Sequence, residues 1–256
     1  MNNYGILYQL AKRDFKNRYI GSWLGFLWTI IQPLVMIFVL WFVFSKGFKV
    51  GPINGDIPFG AWLAVGMIAW ESFTQTLIAL TGVFQEYSYL VKKINFNIVA
   101  LPLVKQFSAV INQVIFLAIV VVIVLISGVP FSWYWFQVFY YFFGLFVLLL
   151  GLSWITSSLQ VFVRDTVQVI SVILQFGFWL TPIVWHFTQI PEKYHFWLRL
   201  NPMFYIVEGY RNSFVYGIGF WEDPKYLIYY WSFTLLVLLT GMLLFRKLKP
   251  HFADVL

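Results

Sequence analysis

Apolar positions gather into six blocks, 23–44, 59–84, 107–127, 135–158, 167–187 and 226–245, and charged residues fall almost entirely between them. At 1.5 Å of rise per residue, each block can cross about 30 Å of hydrocarbon as a helix. The first is too long and too rich in tryptophan for a signal-peptide core, and no small-residue cleavage site follows it. The pattern predicts an all-α integral membrane protein, a single domain over 1–256 with six transmembrane helices.

The intervals carry patterns of their own. Tyr4, Tyr8, Ala11, Phe15 and Tyr19 recur at three-to-four spacing, with Lys12, Arg13 and Lys16 on other faces. This predicts an amphipathic helix over 4–19 lying in the membrane interface; the alternative is a merely basic flank. Segment 85–97 interleaves Tyr87, Leu90, Val91, Ile94 and Phe96 with Lys92 and Lys93. A solvated loop has no need of those apolar side chains, whereas a short helix docking on a partner does. Segment 188–224 is too long for a turn and stays aromatic. Two short helices, 191–200 and 203–216, broken at Asn201-Pro202 and dipping back into the outer leaflet, account for it. A pair of helices lying flat on the membrane is the alternative. No internal repeat is evident.

Composition agrees with this picture. The chain is 61% hydrophobic, 22% aromatic and 11% charged, whereas a soluble domain carries about 25% charged residues. A net charge of +7 on such a chain reports orientation and headgroup contact. The cations lie between apolar stretches and form no folded basic surface, so no nucleic acid is expected as a partner. Eleven of the seventeen Lys and Arg fall on the side of the termini, which predicts that both ends are cytoplasmic. With no cysteine and three histidines, disulfides and thiolate chemistry are excluded and no metal site is expected.

Polar residues inside spans are costly unless they face protein or water. Ser153, Thr156, Ser157 and Gln160 share one face of the fourth block; Gln168, Ser171 and Gln175 lie in the fifth, Ser108, Asn112 and Gln113 in the third, and Ser72, Gln75 and Thr76 beside Glu71 in the second. Amides and hydroxyls with few charges suit a conduit for neutral hydroxylated cargo, and hydrogen bonding between helices competes as the explanation. Most of the aromatics fit interfacial belts, but Trp28, Trp70 and Trp179 lie deeper, where flat rings stack on sugar C–H faces. The candidate lining is therefore Trp28, Gln75, Asn112, Ser153, Ser157, Gln160, Gln168, Gln175 and Trp179. Glu71 is read as a structural carboxylate in preference to a proton relay.

Several motifs carry a family resemblance: Arg18-Tyr19-Ile20-Gly21-Ser22-Trp23-Leu24-Gly25-Phe26-Leu27-Trp28 followed by Pro33, Leu90-Val91-Lys92-Lys93-Ile94, Leu101-Pro102-Leu103, Phe162-Val163-Arg164-Asp165, and Asn201-Pro202 with Tyr210-Arg211. In this order they resemble ABC-2-type permeases of the polysaccharide export family, O-antigen exporters above all, with teichoic-acid exporters near. Asn95-Phe96-Asn97 departs from the aromatic-Pro-Arg run of many relatives. The resemblance implies a homodimer with two copies of a cytoplasmic ABC ATPase in a bacterial inner membrane. It implies a coupling helix at Tyr87, Leu90, Val91, Lys92, Lys93 and Ile94, and an outer gate at Asn201, Pro202, Tyr205, Tyr210 and Arg211. The implied cargo is a glycan on polyprenyl diphosphate, for which Arg13, Lys16, Arg18 and Arg164 are candidate contacts, since guanidinium matches phosphate oxygens. The chain has no GxxxxGK[ST] loop, so no cofactor is expected on it, and ATP and Mg belong to the partner. An exporter of drug, lipid or teichoic acid, a proton-driven or passive transporter, and a membrane-embedded glycosyl- or acyltransferase are the competing readings.

Overall fold

A computed structural model describes residues 23–54, 56–91 and 98–255. Among the described residues, five helices are long and apolar enough to cross a membrane: α1 (Gly25–Gly47), α2 (Phe59–Thr81), α5 (Ala100–Ile126), α6 (Trp133–Phe162) and α10 (Pro224–His251). Short helices α3 (Val83–Glu86) and α4 (Ser88–Val91) follow α2. α7 (Thr166–Leu180) follows α6, and α8 (His195–Arg199) and α9 (Pro202–Arg211) precede α10. α11 (Phe252–Val255) is the last described helix. The only β pairing among the described residues is the isolated contact of Ile53 with Ile57. The expected interfacial helix, with Arg13, Lys16 and Arg18, lies outside the described residues, as do Lys92, Lys93 and Ile94.

The expected fifth span, 167–187, differs. Its helix stops at Leu180, so α7 has 15 residues and is about 22 Å long. Pro182 is the cause: it has no N–H to continue the ladder, and its ring forces the preceding Thr181 into an extended conformation (ψ 135°). The third span starts seven residues earlier than expected, because Pro102 falls in its first turn, where a missing N–H costs nothing.

α2 is the hub. Every residue from 61 to 70 is buried, the signature of a helix surrounded on all sides; α1, α5, α6, α7 and α9 all pack on it. α6 and α10 form the closest pair. A Cβ on Gly241 would collide with the Gly151 carbonyl, and one on Gly151 would lie 2.8 Å from the Leu238 backbone. Only glycine permits this approach, the usual device where helices associate by close packing in lipid. Apolar faces are left uncovered on α1 (Leu34, Val35, Phe38), α7 (Val169, Val172, Phe176), α5 (Val114, Val122) and α10 (Leu235, Leu236, Leu239).

A second buried cluster sits apart from the main core, at the end of the bundle holding α3, α4, the α6–α7 turn and α11. This end, here called the basic end, contrasts with the loop end, formed by 48–54, 56–58, 127–132 and 181–223. At the loop end α8 is exposed (Phe196, Trp197). α9 buries Met203, Phe204, Tyr205, Ile206 and Val207 against the bundle. The break between them is built by Asn201, whose Oδ1 accepts from the Met203 N–H at 3.0 Å, with Pro202 at the first helical position.

Candidate functional site

At the basic end, Gln160 uses both ends of its amide. Its Nε2 donates to Gln85 Oε1 (3.1 Å) and to the Arg164 carbonyl (2.9 Å). Its Oε1 accepts from the Val167 N–H (2.9 Å), satisfying one of the orphan donors that open α7. Gln85 Nε2 returns a bond to the Gln160 carbonyl (3.2 Å). One side chain thus ties α3, the end of α6 and the start of α7 together. Close by, the buried Lys105 places Nζ 2.7 and 2.9 Å from the two oxygens of Glu86 and 5.9 Å from the Tyr87 ring centroid. Beneath the segment, Phe252 is fully buried, its ring 5.1 Å from Phe84 and 5.8 Å from Phe245. Tyr87 and Val91 share this cluster. Arg164 is exposed in the α6–α7 turn and borders a polar hollow with Gln85 and Ser88.

At the loop end, Arg211 is fully buried and its guanidinium closes a clasp. Nη1 donates to the Pro182 carbonyl (2.6 Å) and to Glu208 Oε1 (2.7 Å), Nη2 to the Ile183 carbonyl (2.8 Å), and Nε to the Trp62 carbonyl (3.4 Å). The cation also lies 3.5 Å from the Trp62 ring centroid. The end of α7 before Pro182 is what frees the Pro182 and Ile183 carbonyls, and the guanidinium fork repays them. Gly66 makes room: a Cβ there would stand 2.5 Å from Nη2. The clasp joins α2, the end of α7 and α9. Pro202, Tyr205 and Tyr210 lie on the same helix as Arg211, and Asn201 Nδ2 reaches back to Thr181 Oγ1 at 2.8 Å.

The candidate lining residues divide into two groups. Ser153, Ser157, Gln160 and Asn112 are buried within the single chain. Ser153 and Ser157 donate to their own helix, to the Leu150 and Ser153 carbonyls, and Gln75 holds Glu71 Oε2 at 3.1 Å. Thr76 accepts from Gln113 at 3.2 Å, and Thr81 donates to Thr156 at 2.9 Å, so part of the polar stripes serves helix contacts. Gln168, Gln175 and Trp179 on α7 and Trp28 on α1 are instead exposed, each helix also carrying an uncovered apolar face. Reasoning from sequence missed Trp62, Gly66, Glu208, Lys105 and Phe252. The Glu208–Arg211 spacing of three on a helix was the one available signal.

Bundle, uncovered faces and buried clasps together define a multi-pass helical membrane protein. The ABC-2 type transporter family matches residues 6–215. The chain belongs to that family. It is 26% identical over 255 residues to the O-antigen export system permease protein RfbA of Klebsiella pneumoniae, covering 99% of this chain and 95% of that protein. The RfbA of Myxococcus xanthus is 27% identical over 218 residues, covering 82% and 80%. The polysialic acid transport protein KpsM of Escherichia coli is 23% identical over 245 residues, covering 93% and 91%.

Proposed function

We propose that this chain is the membrane-spanning permease subunit of a polysaccharide exporter, moving a glycan carried on polyprenyl diphosphate out of the cytoplasm across a bacterial inner membrane. The observation that carries the reading is the full-length similarity to the O-antigen permeases. Motive force would come from two copies of a separate ATPase binding ATP and Mg, seated on α3, α4 and the Lys92-Lys93-Ile94 stretch. The Gln85–Gln160–Val167 bonds support this, since they would carry a push on that segment into α7. Two copies of the chain would face each other through α1 and α7 and form the passage, with Trp28, Gln168, Gln175 and Trp179 along it. α7 would then count as the sixth crossing, and both termini would be cytoplasmic. Removing the buried Lys105 and Arg211 from the cation count leaves ten against five, the same bias. Arg13, Lys16, Arg18 and Arg164 would meet the diphosphate. The α9 clasp, with Asn201, Pro202, Tyr205 and Tyr210, would set the exit.

The test is reconstitution. Vesicles holding the chain with its ATPase should export lipid-linked glycan on addition of ATP, and vesicles holding the chain alone should not. Transport without the ATPase would refute the reading.

A further inference from the structure

A hollow of about 310 Å³ opens at the loop end between α9, the α6 and α10 ends and the 217–223 loop. This is at the small end of the range for small-molecule sites, about 300–1,000 Å³, and leaves room for one sugar ring. Its walls are aromatic and held in place by other rings. Tyr205 crosses Tyr226 at 88° and stacks on Tyr230 with centroids 4.5 Å apart, and Phe220 stacks on Tyr140 at 4.2 Å. The floor is closed by Tyr141, whose ring occupies the place where a side chain on Gly209 would stand.

The polar part of the lining carries three carboxylates, Glu208, Glu222 and Asp223, and one cation, Arg199. Glu208 borders the hollow while its Oε1 binds Arg211 at 2.7 Å, and Asp223 lies 3.7 Å from Arg199 at the rim. These two carboxylates are offset by cations, and Glu222 Oε1 is held by the Gly219 N–H at 2.9 Å, so the hollow is rich in hydrogen-bond acceptors with one carboxylate charge in excess. The carboxylates accept hydrogen bonds, while Arg199 and the Asn212 amide donate them. Flat apolar faces flanked by both acceptors and donors match a pyranose, whose C–H face stacks on rings and whose hydroxyls both give and take hydrogen bonds. We propose that this hollow is a saccharide subsite, holding one ring of the glycan as it leaves the passage; the identity of that glycan as cargo rests on the function proposed above.

The absence of cysteine makes the test direct. Ile218, in the lining and 38% exposed, becomes the sole thiol in Ile218→Cys, and Trp133→Cys at the same end, 79% exposed and outside the hollow, is the control. Both are reconstituted in phospholipid vesicles and labelled with a charged maleimide. The probes are methyl glycosides of hexoses, 6-deoxyhexoses and N-acetylhexosamines, with glycerol as the blank. At about twice its Kd, a fitting probe slows labelling at Ile218→Cys about threefold, leaves Trp133→Cys unchanged, and loses its effect when Phe220→Ala is added. If no probe slows Ile218→Cys, or the control slows equally, the subsite is refuted. Glycan export with no protection by any probe refutes the subsite alone; protection in a chain that exports nothing refutes the permease reading alone.

Discussion

Replacing Arg211 by leucine removes the cation, strips the Pro182 and Ile183 carbonyls and the Glu208 carboxylate of this donor, and loses the longer contact to the Trp62 carbonyl, which stays bonded within α2. Bonds from a charged donor contribute about 1.5–3 kcal/mol each, but the cost of burying the guanidinium offsets much of that total. Breaking a buried pair by removing one partner costs about 3–5 kcal/mol, because the other charge stays buried and unpaired. At about 2–4 °C per kcal/mol for a chain of this size, Arg211→Leu should melt about 6–20 °C below the parent protein in detergent, followed by tryptophan fluorescence. Arg211→Lys should recover only part of this, since an ammonium lacks the planar fork that serves two carbonyls and a carboxylate at once. The double variant Arg211→Leu/Glu208→Gln should be less destabilised than the sum of the two singles, because the stranded carboxylate is gone. An Arg211→Leu protein melting within about 2 °C of the parent would refute the clasp as a stabilising contact.

Gly241→Leu should cost at least the 1–3 kcal/mol typical of overpacking, since the new side chain meets the Gly151 carbonyl and backbone cannot yield cheaply; the check is melting temperature and proteolysis between α6 and α10. Phe252→Ala opens a cavity beneath α3 worth about 3–5 kcal/mol and should weaken co-purification of the ATPase, with Phe252→Leu restoring most of it. Glu71→Gln, with Gln75 still able to bond the amide, should leave ATP-driven export within about twofold and insensitive to a collapsed proton gradient, a result a proton relay could not give. Neutralising Arg164 together with Arg13, Lys16 and Arg18 should lower export while leaving ATPase binding intact, measured by transport and pull-down on the same preparation.

The long spans were legible because apolar runs of that length have no other stable home. The ends were less so, for local reasons. Ile183, Val184 and Trp185 continue the apolar run beyond α7, and only Pro182 marks the stop. Lys105 and Gln106 read as loop residues, yet one is neutralised by Glu86 and the other donates to the Phe146 carbonyl at 2.6 Å, so α5 runs through them. Arg211 reads as an outer-loop cation. Its burial depends on carbonyls about thirty residues earlier, freed by a proline just past the end of another helix, and periodicity carries no trace of such a meeting. Gln160 was visible as polar on a buried face, but its use as a cap for α7 needs the turn at Arg164 to be known. The Asn201-Pro202 break, by contrast, is written in adjacent residues, a capping amide followed by a first-turn proline.

α7 is about 8 Å shorter than the hydrocarbon layer it would cross. Lipid beside it must dimple inward, or water must reach further in from one side to meet its ends. Wherever α7 lines the route of a hydrated polymer, the dry septum is cut to about three-quarters of its usual depth. Fewer repeat units then have to shed their water at any instant, and a chain of uniform polar links meets a lower, flatter barrier as it threads through.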